Sequence, residues 1–213
     1  MLCGVDEAGR GPVIGPLVVA GILVESDEAL IELKVRDSKE LSPSARDRLA
    51  VGIRKVAQVK TILTSAAEID QAREAMTMNR LEAKLFASVL DHLRPTVAFV
   101  DSVDVVEENF RRGILAELHF PLELISRHKA DSLYPVVSAA SIIAKTVRDS
   151  EVARIEQELG EPIGSGYPAD PVTVAFLKNW IRRKGDVPPH TRRSWDTSKR
   201  LLELASLKRL DEF

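Results

Sequence analysis

The hydrophobic positions of this chain form short runs rich in Val and Ile, separated by longer stretches with helical spacing. Residues 2–5 and 14–24 are apolar and flank a connection that contains Gly and Pro, which predicts two neighbouring strands. Three further runs are short and β-branched or apolar, which is typical of buried strands. They span residues 59–65, 96–100 and 122–126.

Helices are predicted where apolar residues recur every three or four positions. Ser42 followed by Pro43 is a strong start signal, because Ser accepts from free backbone N–H groups and Pro fits the first helical position. The predicted helices span residues 43–57, 67–93, 134–159, 171–183 and 197–213. Strands early, helix and strand alternating later, and helices at the end predict an α/β fold with a mixed central sheet flanked by helices. We expect one domain over residues 1–170 and a helical C-terminal extension over residues 171–213.

The composition fits a globular protein in the cytoplasm. The chain has 213 residues, of which 45% are hydrophobic and 29% charged. Its single cysteine, Cys3, cannot form an intramolecular disulfide, and no leader pattern is found near the N-terminus. The longest apolar stretch, residues 13–24, is interrupted by Gly15, Pro16 and Gly21 and is shorter than the roughly 20 residues of a membrane helix. We expect no membrane span.

The charge is distributed unevenly. The net charge of -2 does not suggest a nucleic-acid-binding protein, because such proteins usually carry an excess of Lys and Arg. Between Lys178 and Arg200, however, the sequence contains eight basic residues and only two acidic ones. This segment could form a local basic footprint, in which His190, Arg192 and Arg193 contact a DNA strand. A solvated helix face would give the same pattern, and charge alone does not separate the two.

Three aspartates follow predicted strands. Asp6 and Asp101 come at the ends of the first strand and of the 96–100 strand, and Asp131 follows the last strand after a short connection. If these strands are parallel neighbours, the aspartates and the adjacent Glu7 meet at one edge of the sheet. Clustered carboxylates repel one another, and divalent cations remove the repulsion. Hard oxygen ligands favour Mg²⁺ or Mn²⁺.

Two such ions about 3.5–4 Å apart are the usual device for hydrolysing a phosphodiester. The arrangement therefore suits that reaction. The alternative is that these aspartates simply occupy strand ends and turns, where Asp is favoured. Their spacing leaves both interpretations open.

Seven motifs, in the same order, resemble those of the type 2 ribonucleases H. They are residues 4–12 with 14–16, 37–42, 98–101, 128–131, 136–145, 164–168 and 193–195. The resemblance extends over about residues 2–200, and the length and helical C-terminus are similar to the archaeal branch. It implies a ribonuclease H fold for the domain over residues 1–170.

The resemblance also implies an activity and its metal site. The expected reaction is endonucleolytic hydrolysis of the RNA strand in RNA/DNA hybrids, and nicking on the 5′ side of a single ribonucleotide in duplex DNA. The products would carry 3′-hydroxyl and 5′-phosphate ends. Asp6, Glu7, Asp101 and Asp131 match the family's metal-site carboxylates, so we expect Mg²⁺ or Mn²⁺, with two ions when substrate is bound.

Other matching positions imply substrate contacts. Gly9, Arg10 and Gly11 match the loop that reads the ribose 2′-hydroxyl, and Tyr167 matches a residue that stacks on the next deoxyribose. Glycines permit close backbone approach, and the 2′-hydroxyl is what distinguishes RNA from DNA. From the residues alone, the alternatives are a simple tight turn for the glycines and a loop aromatic packed on the core for Tyr167.

Two lysines are weaker candidates for substrate binding. Lys39 and Lys145 could contact phosphates as point charges. Lys145, on a predicted helix, could equally be solvated or paired with a carboxylate.

The last seven residues resemble half of the peptide with which replication proteins bind a sliding clamp. Leu207 stands where glutamine is usual, and Leu210 and Phe213 could fill a hydrophobic pocket. A frayed amphipathic helix end is the alternative. The family resemblance implies a monomer.

Two rival functions remain. A Holliday-junction resolvase or a transposase would also use clustered carboxylates, but neither explains the Gly-Arg-Gly loop and Tyr167. A binding module that only protects hybrids would not need four carboxylates.

Overall fold

The structure is a computed structural model that describes residues 1–35 and 42–210, with the backbone only for residues 208–210. The strands are β1 (Leu2–Ala8), β2 (Leu17–Val24), β3 (Gln58–Thr64), β4 (Val97–Asp101) and β5 (Glu123–Arg127). The helices are α1 (Glu28–Glu32), α2 (Pro43–Val56), α3 (Ala66–Arg73), α4 (Met78–Leu93), α5 (Glu107–Leu115), α6 (Ala130–Leu133), α7 (Pro135–Leu159), α8 (Pro171–Lys184) and α9 (Asp196–Leu210). Lys39, a predicted phosphate contact, and Phe213, a predicted clamp contact, lie outside the described residues.

The described strands form one mixed sheet in the order β3-β2-β1-β4-β5. β1 pairs antiparallel with β2 and parallel with β4, and β4 pairs parallel with β5. The ends of β1, β4 and β5 therefore lie on the same edge. The condition under which the aspartates were expected to meet, that these three strands are parallel neighbours, is therefore fulfilled.

The chain forms two compact units. Unit 1 comprises Met1–Ala8, Val18–Leu63 and Met76–Val147, and contains most of the sheet. Unit 2 comprises Gly9–Leu17, Thr64–Ala75 and the chain from Arg148 onward. The predicted domain boundary at residue 170 stays a prediction. None of the helices in the described ranges is long and apolar enough to cross a membrane.

Unit 1 buries apolar side chains on both faces of its sheet. Side chains alternate along β2, so that Val18, Ala20 and Ile22 pack on one face while Val19 and Leu23 pack on the other. The first face is covered by α2 and α7, and the second by α4 and α5. The predicted mixed sheet flanked by helices is therefore confirmed.

Three predicted boundaries were wrong. The second strand begins at Leu17 rather than at Ile14. The first strand does not end at Val5, because pairing with β2 continues through Ala8, and it places Asp6 inside the strand opposite Ala20. The predicted helix over residues 67–93 is divided into α3 and α4. The division falls at Thr77, whose side chain accepts from the Arg80 N–H at 3.3 Å and so caps the start of α4.

Candidate active site

The parallel strands of unit 1 place two aspartates side by side. Val5 of β1 is paired with Val100 of β4, and each of these valines is followed directly by an aspartate, Asp6 and Asp101. Asp101 is in turn paired with Arg127, the last residue of β5. Both aspartates therefore stand at the C-terminal edge of neighbouring strands, as predicted.

Asp6 lies in an environment that disfavours its charge. The residue is buried, with 5% of its surface exposed, and its Oδ1 accepts from the Glu7 N–H at 2.8 Å. Burial, and then the negative charges of Glu7 and Asp101, raise the pKa of Asp6 well above its ordinary value. A cation bound at this edge would stabilise the charged form of Asp6.

Asp101 also organises the segment that carries the last carboxylate. Its Oδ1 accepts from the N–H of Ala130, the first residue of α6, at 3.0 Å. The next residue is Asp131, which is buried and accepts from the Ser132 hydroxyl at 3.3 Å. The hydrogen bond between Asp101 and Ala130 thus ties the end of β4 to the start of α6, where Asp131 stands.

The carboxylates fit a divalent cation in chemistry, but they do not form a closed set of ligands. Within residues 1–35 and 42–210, no three His, Cys, Asp or Glu side chains converge closely enough to hold a metal ion. The four candidates, Asp6, Glu7, Asp101 and Asp131, offer only oxygen, which suits Mg²⁺ or Mn²⁺. Sharing one ion would require these side chains to rotate toward one another.

The structure describes Lys145, the second lysine predicted to contact a substrate phosphate. It lies on α7 within unit 1, and its side chain is half-buried. Its predicted contact with a substrate phosphate stays a prediction.

Unit 2 holds the other predicted site. Gly9 has a φ of +90°, and a Cβ atom there would overlap the carbonyl oxygen of Pro16, so the loop requires glycine at this position. A Cβ atom on Gly11 would lie 3.3 Å from Cε1 of Tyr167. The Gly166 carbonyl also accepts from the Val13 N–H at 2.8 Å. The structure therefore brings the glycine loop and Tyr167 together, although 158 and 156 positions separate Tyr167 from Gly9 and Gly11 in the numbering.

Tyr167 presents a partly exposed ring with an arginine beside it. The tyrosine is 41% exposed. The Arg148 guanidinium lies over the ring, 5.4 Å from its centroid, and also donates to the Ser165 carbonyl. Arg148 is itself buried. The sequence analysis did not identify Arg148, because a single Arg within a long helix gives no distinguishing signal.

The basic segment between Lys178 and Arg200 does not form a continuous solvated face, which was one of the two alternatives for its charge pattern. Arg192 is fully buried, whereas His190 and Arg193 pair with Glu158 and Asp186. Burial, and then the charge of Arg148, lower the pKa of Arg192 to about 9, so it stays charged at neutral pH. A direct contact of Arg192 with DNA is therefore not supported.

Known proteins resemble this chain over nearly its whole length. The family model for ribonuclease HII matches residues 3–198. A ribonuclease HII from Methanoregula boonei is 47% identical over 213 residues, which cover 100% of both chains.

Two solved structures share the fold. The ribonuclease H2 of Pyrococcus horikoshii OT3 superposes with a TM-score of 0.90 at 41% identity, over 96% of this chain and 98% of that one. The ribonuclease HII of Archaeoglobus fulgidus, solved in complex with PCNA, superposes with a TM-score of 0.88 at 41% identity, over 94% and 96% of the two chains. The predicted ribonuclease H-like fold is confirmed.

Proposed function

This chain belongs to the ribonuclease HII family, and from that premise we propose that it is an endonuclease acting on RNA joined to or paired with DNA. It hydrolyses the RNA strand of RNA/DNA hybrids and nicks duplex DNA on the 5′ side of a single ribonucleotide. The observation that carries this proposal is the shared strand edge of unit 1, where Asp6 and Asp101 stand side by side.

The carboxylates supply the chemistry. Asp6, Glu7, Asp101 and Asp131 would hold the divalent ions, Mg²⁺ or Mn²⁺. When bound, two such ions would supply activation of the attacking water and charge stabilisation at the leaving 3′-oxygen, and the products would carry 5′-phosphate and 3′-hydroxyl ends. The protein holds Asp6 in a buried position beside two other anions, so this carboxylate is poorly stabilised without a cation.

The glycine loop and Tyr167 supply the recognition. The loop over Gly9, Arg10 and Gly11 brings backbone groups close to the ribose, and the exposed ring of Tyr167 stacks on the next sugar. In the sequence, Glu7 of the metal site precedes Gly9 by only two positions. Recognition of the ribonucleotide and assembly of the metal site therefore depend on one continuous segment.

An incubation with three substrates tests the function against its rivals. The substrates are an RNA/DNA hybrid, a DNA duplex with one ribonucleotide, and an all-DNA four-way junction, each with Mg²⁺ and with added chelator. We expect cleavage of the first two only, and none with chelator. Cleavage of the all-DNA junction would support a resolvase, and binding without cleavage would support a binding module; either result would reject the proposal.

Replacing Tyr167 by Ala should reduce the preference for a single ribonucleotide over a long hybrid. The ring would no longer stack on the deoxyribose. Stacking of a base on an aromatic ring contributes about 1–3 kcal/mol, and a sugar offers a smaller face, so we take the lower part of that range and expect about a tenfold loss of kcat/KM on the single-ribonucleotide duplex. Cleavage of a long hybrid should fall less. Tyr167→Phe keeps the ring and serves as the matched control. An equal loss on both substrates would contradict the stacking role.

A sliding clamp is the partner we propose for the C-terminus. The Archaeoglobus relative was solved with PCNA, and Leu207 near the end of α9 is 59% exposed. Leu207, Leu210 and Phe213 are the apolar residues that would enter a pocket on the clamp.

Deleting residues 207–213 should therefore abolish binding to an archaeal clamp without changing the cleavage of free duplexes. The deletion removes the proposed apolar anchors but none of the proposed catalytic residues. Calorimetry with the purified clamp measures the affinity, and substitution of the exposed Glu203 by Ala is the control. An unchanged affinity after deletion would reject this docking site.

A further inference from the structure

Arg192 has a position that its sequence context does not suggest. The next residue, Arg193, is an exposed arginine, yet Arg192 is among the largest fully buried side chains of the described protein. Its guanidinium donates to the carbonyl oxygens of Gly9, Arg10 and Gly15, at 2.8 Å for Arg10 and at 3.1 and 3.2 Å for Gly15. The carbonyls of Gly9 and Arg10 belong to the glycine loop, and all of these residues lie in unit 2.

These hydrogen bonds fix the direction of two consecutive peptide groups. In a trans peptide, the carbonyl of one residue and the N–H of the next point in opposite directions. Because the carbonyls of Gly9 and Arg10 both point to the guanidinium, the N–H groups of Arg10 and Gly11 are both directed away from it. Successive N–H groups that face one side form a concave donor surface for an electronegative oxygen.

The guanidinium is itself held in place. The Arg192 N–H donates to the Val13 carbonyl at 2.8 Å, and its own carbonyl accepts from the Ser198 hydroxyl at 2.7 Å. The ring of Trp195 lies 4.8 Å from the guanidinium carbon. Backbone hydrogen bonds and a cation–π contact thus fix both ends of the residue.

We propose that Arg192 is a positioning residue for ribonucleotide recognition. Through its hydrogen bonds to the loop carbonyls, Arg192 orients the N–H groups of Arg10 and Gly11 toward the oxygen of the 2′-hydroxyl. This inference rests on the proposed function, in which the glycine loop reads the ribose. Arg192 itself does not touch the substrate. The proposal also explains the 193–195 motif as a support for Arg192. Trp195 covers the guanidinium, and the backbone N–H groups of Arg193 and Ser194 donate to the Asp70 carboxylate.

Lys cannot replace Arg in this position. A guanidinium presents several N–H donors in a fixed plane and can serve three carbonyls at once, whereas an ammonium is a compact charge with a different reach. Arg192→Lys keeps the charge and removes this geometry. The loop should then present its N–H groups less uniformly, and recognition of the 2′-hydroxyl should weaken more than general binding of duplex DNA.

The test compares two duplexes of identical sequence, one with a single ribonucleotide and one all DNA. For Arg192→Lys we expect kcat/KM on the ribonucleotide duplex to fall about tenfold or more. The inhibition constant of the all-DNA duplex, used as a competitor, should change by less than about twofold. Arg154→Lys is the matched control, because Arg154 is exposed and pairs with Glu151 and Glu158.

A second variant guards against a loss of folding. Trp195→Leu removes the ring over the guanidinium but leaves all hydrogen bonds of the guanidinium in place, so this variant should fold. We expect kcat/KM on the ribonucleotide duplex to fall by about two- to fivefold, with the inhibition constant of the all-DNA duplex nearly unchanged. In either folded variant, a parallel loss for both duplexes, or no loss for either, would overturn the inference. Wild-type protein that binds both duplexes equally and does not nick the ribonucleotide would instead reject the proposed function. The two failures are therefore distinguishable.

Discussion

Asp101→Asn should bind a ribonucleotide-containing duplex nearly as well as the wild type and cleave it at least about a thousandfold more slowly. Bound metal ions contribute several kcal/mol to stabilisation of the transition state, and each 1.36 kcal/mol corresponds to about a factor of ten in rate. The amide has no negative charge with which to hold the ions. Binding should persist because most contacts with a duplex are made with its phosphates and sugars.

The choice of Asn rather than Ala is decisive at this position. The Oδ1 atom of Asp101 accepts from the Ala130 N–H, and an Asn side chain can keep that hydrogen bond. Asp101→Ala would lose both the charge and the acceptor, so it would also loosen the start of α6. Asp101→Asn thus separates the metal role from the structural one.

The loss of catalysis is measured as the cleavage rate at several Mg²⁺ concentrations. Binding is measured as the fluorescence anisotropy of a labelled duplex. Asp91→Asn is the control, because Asp91 is an exposed residue of α4 that pairs with Arg94 just beyond the helix. Wild-type rates for Asp101→Asn would contradict a metal role for Asp101. If the affinity for the duplex fell as much as the cleavage rate, Asp101 would contribute mainly to substrate binding, which would also contradict the prediction.

Gly4→Ala should destabilise the protein by about 3 kcal/mol or more, at the upper end of the usual cost of overpacking, because it forces apart two elements of unit 1. A Cβ atom on Gly4 would overlap the backbone of Val136 and Val137 at the start of α7. Backbone atoms cannot move aside as a flexible side chain can. The close approach of β1 and α7 therefore depends on the absence of a side chain at position 4.

Urea unfolding, followed by circular dichroism, measures the change in the free energy of unfolding. Gly113→Ala is the matched control, since Gly113 lies inside α5 and its Cβ would make an ordinary 3.4 Å contact with the side chain of Ala83 on α4. There the substitution should stabilise the protein by up to about 1 kcal/mol, because Ala is the better helix former. A free energy of unfolding for Gly4→Ala within about 1 kcal/mol of the wild type would contradict the tight packing of β1 on α7.

The positions of the aspartates could be predicted from the sequence because they depend on local signals. Short β-branched runs mark the strands, and Asp6 and Asp101 directly follow two of these runs. The strand bounds were less accurate. Asp6, Glu7 and Ala8 are in β1 because β2 offers them partners, and no periodicity within residues 2–8 shows this.

The support of the glycine loop could not be predicted. The carbonyl partners of Arg192 are 177 to 183 positions away in the chain, and they are backbone atoms, which carry no residue-type signal. The basic composition around Arg192 predicts instead a surface residue. A buried arginine in an exposed basic segment becomes visible only when the tertiary contacts are known.

The position of the nick tests the central proposal most directly. A duplex with one ribonucleotide, labelled at either end of that strand, is incubated with the protein and Mg²⁺, and the products are sized beside an alkaline hydrolysis ladder. We predict one nick on the 5′ side of the ribonucleotide, with 3′-hydroxyl and 5′-phosphate ends, and none when the ribonucleotide is replaced by its deoxy form. A nick on the 3′ side, or equal cleavage of the deoxy duplex, would contradict the proposal.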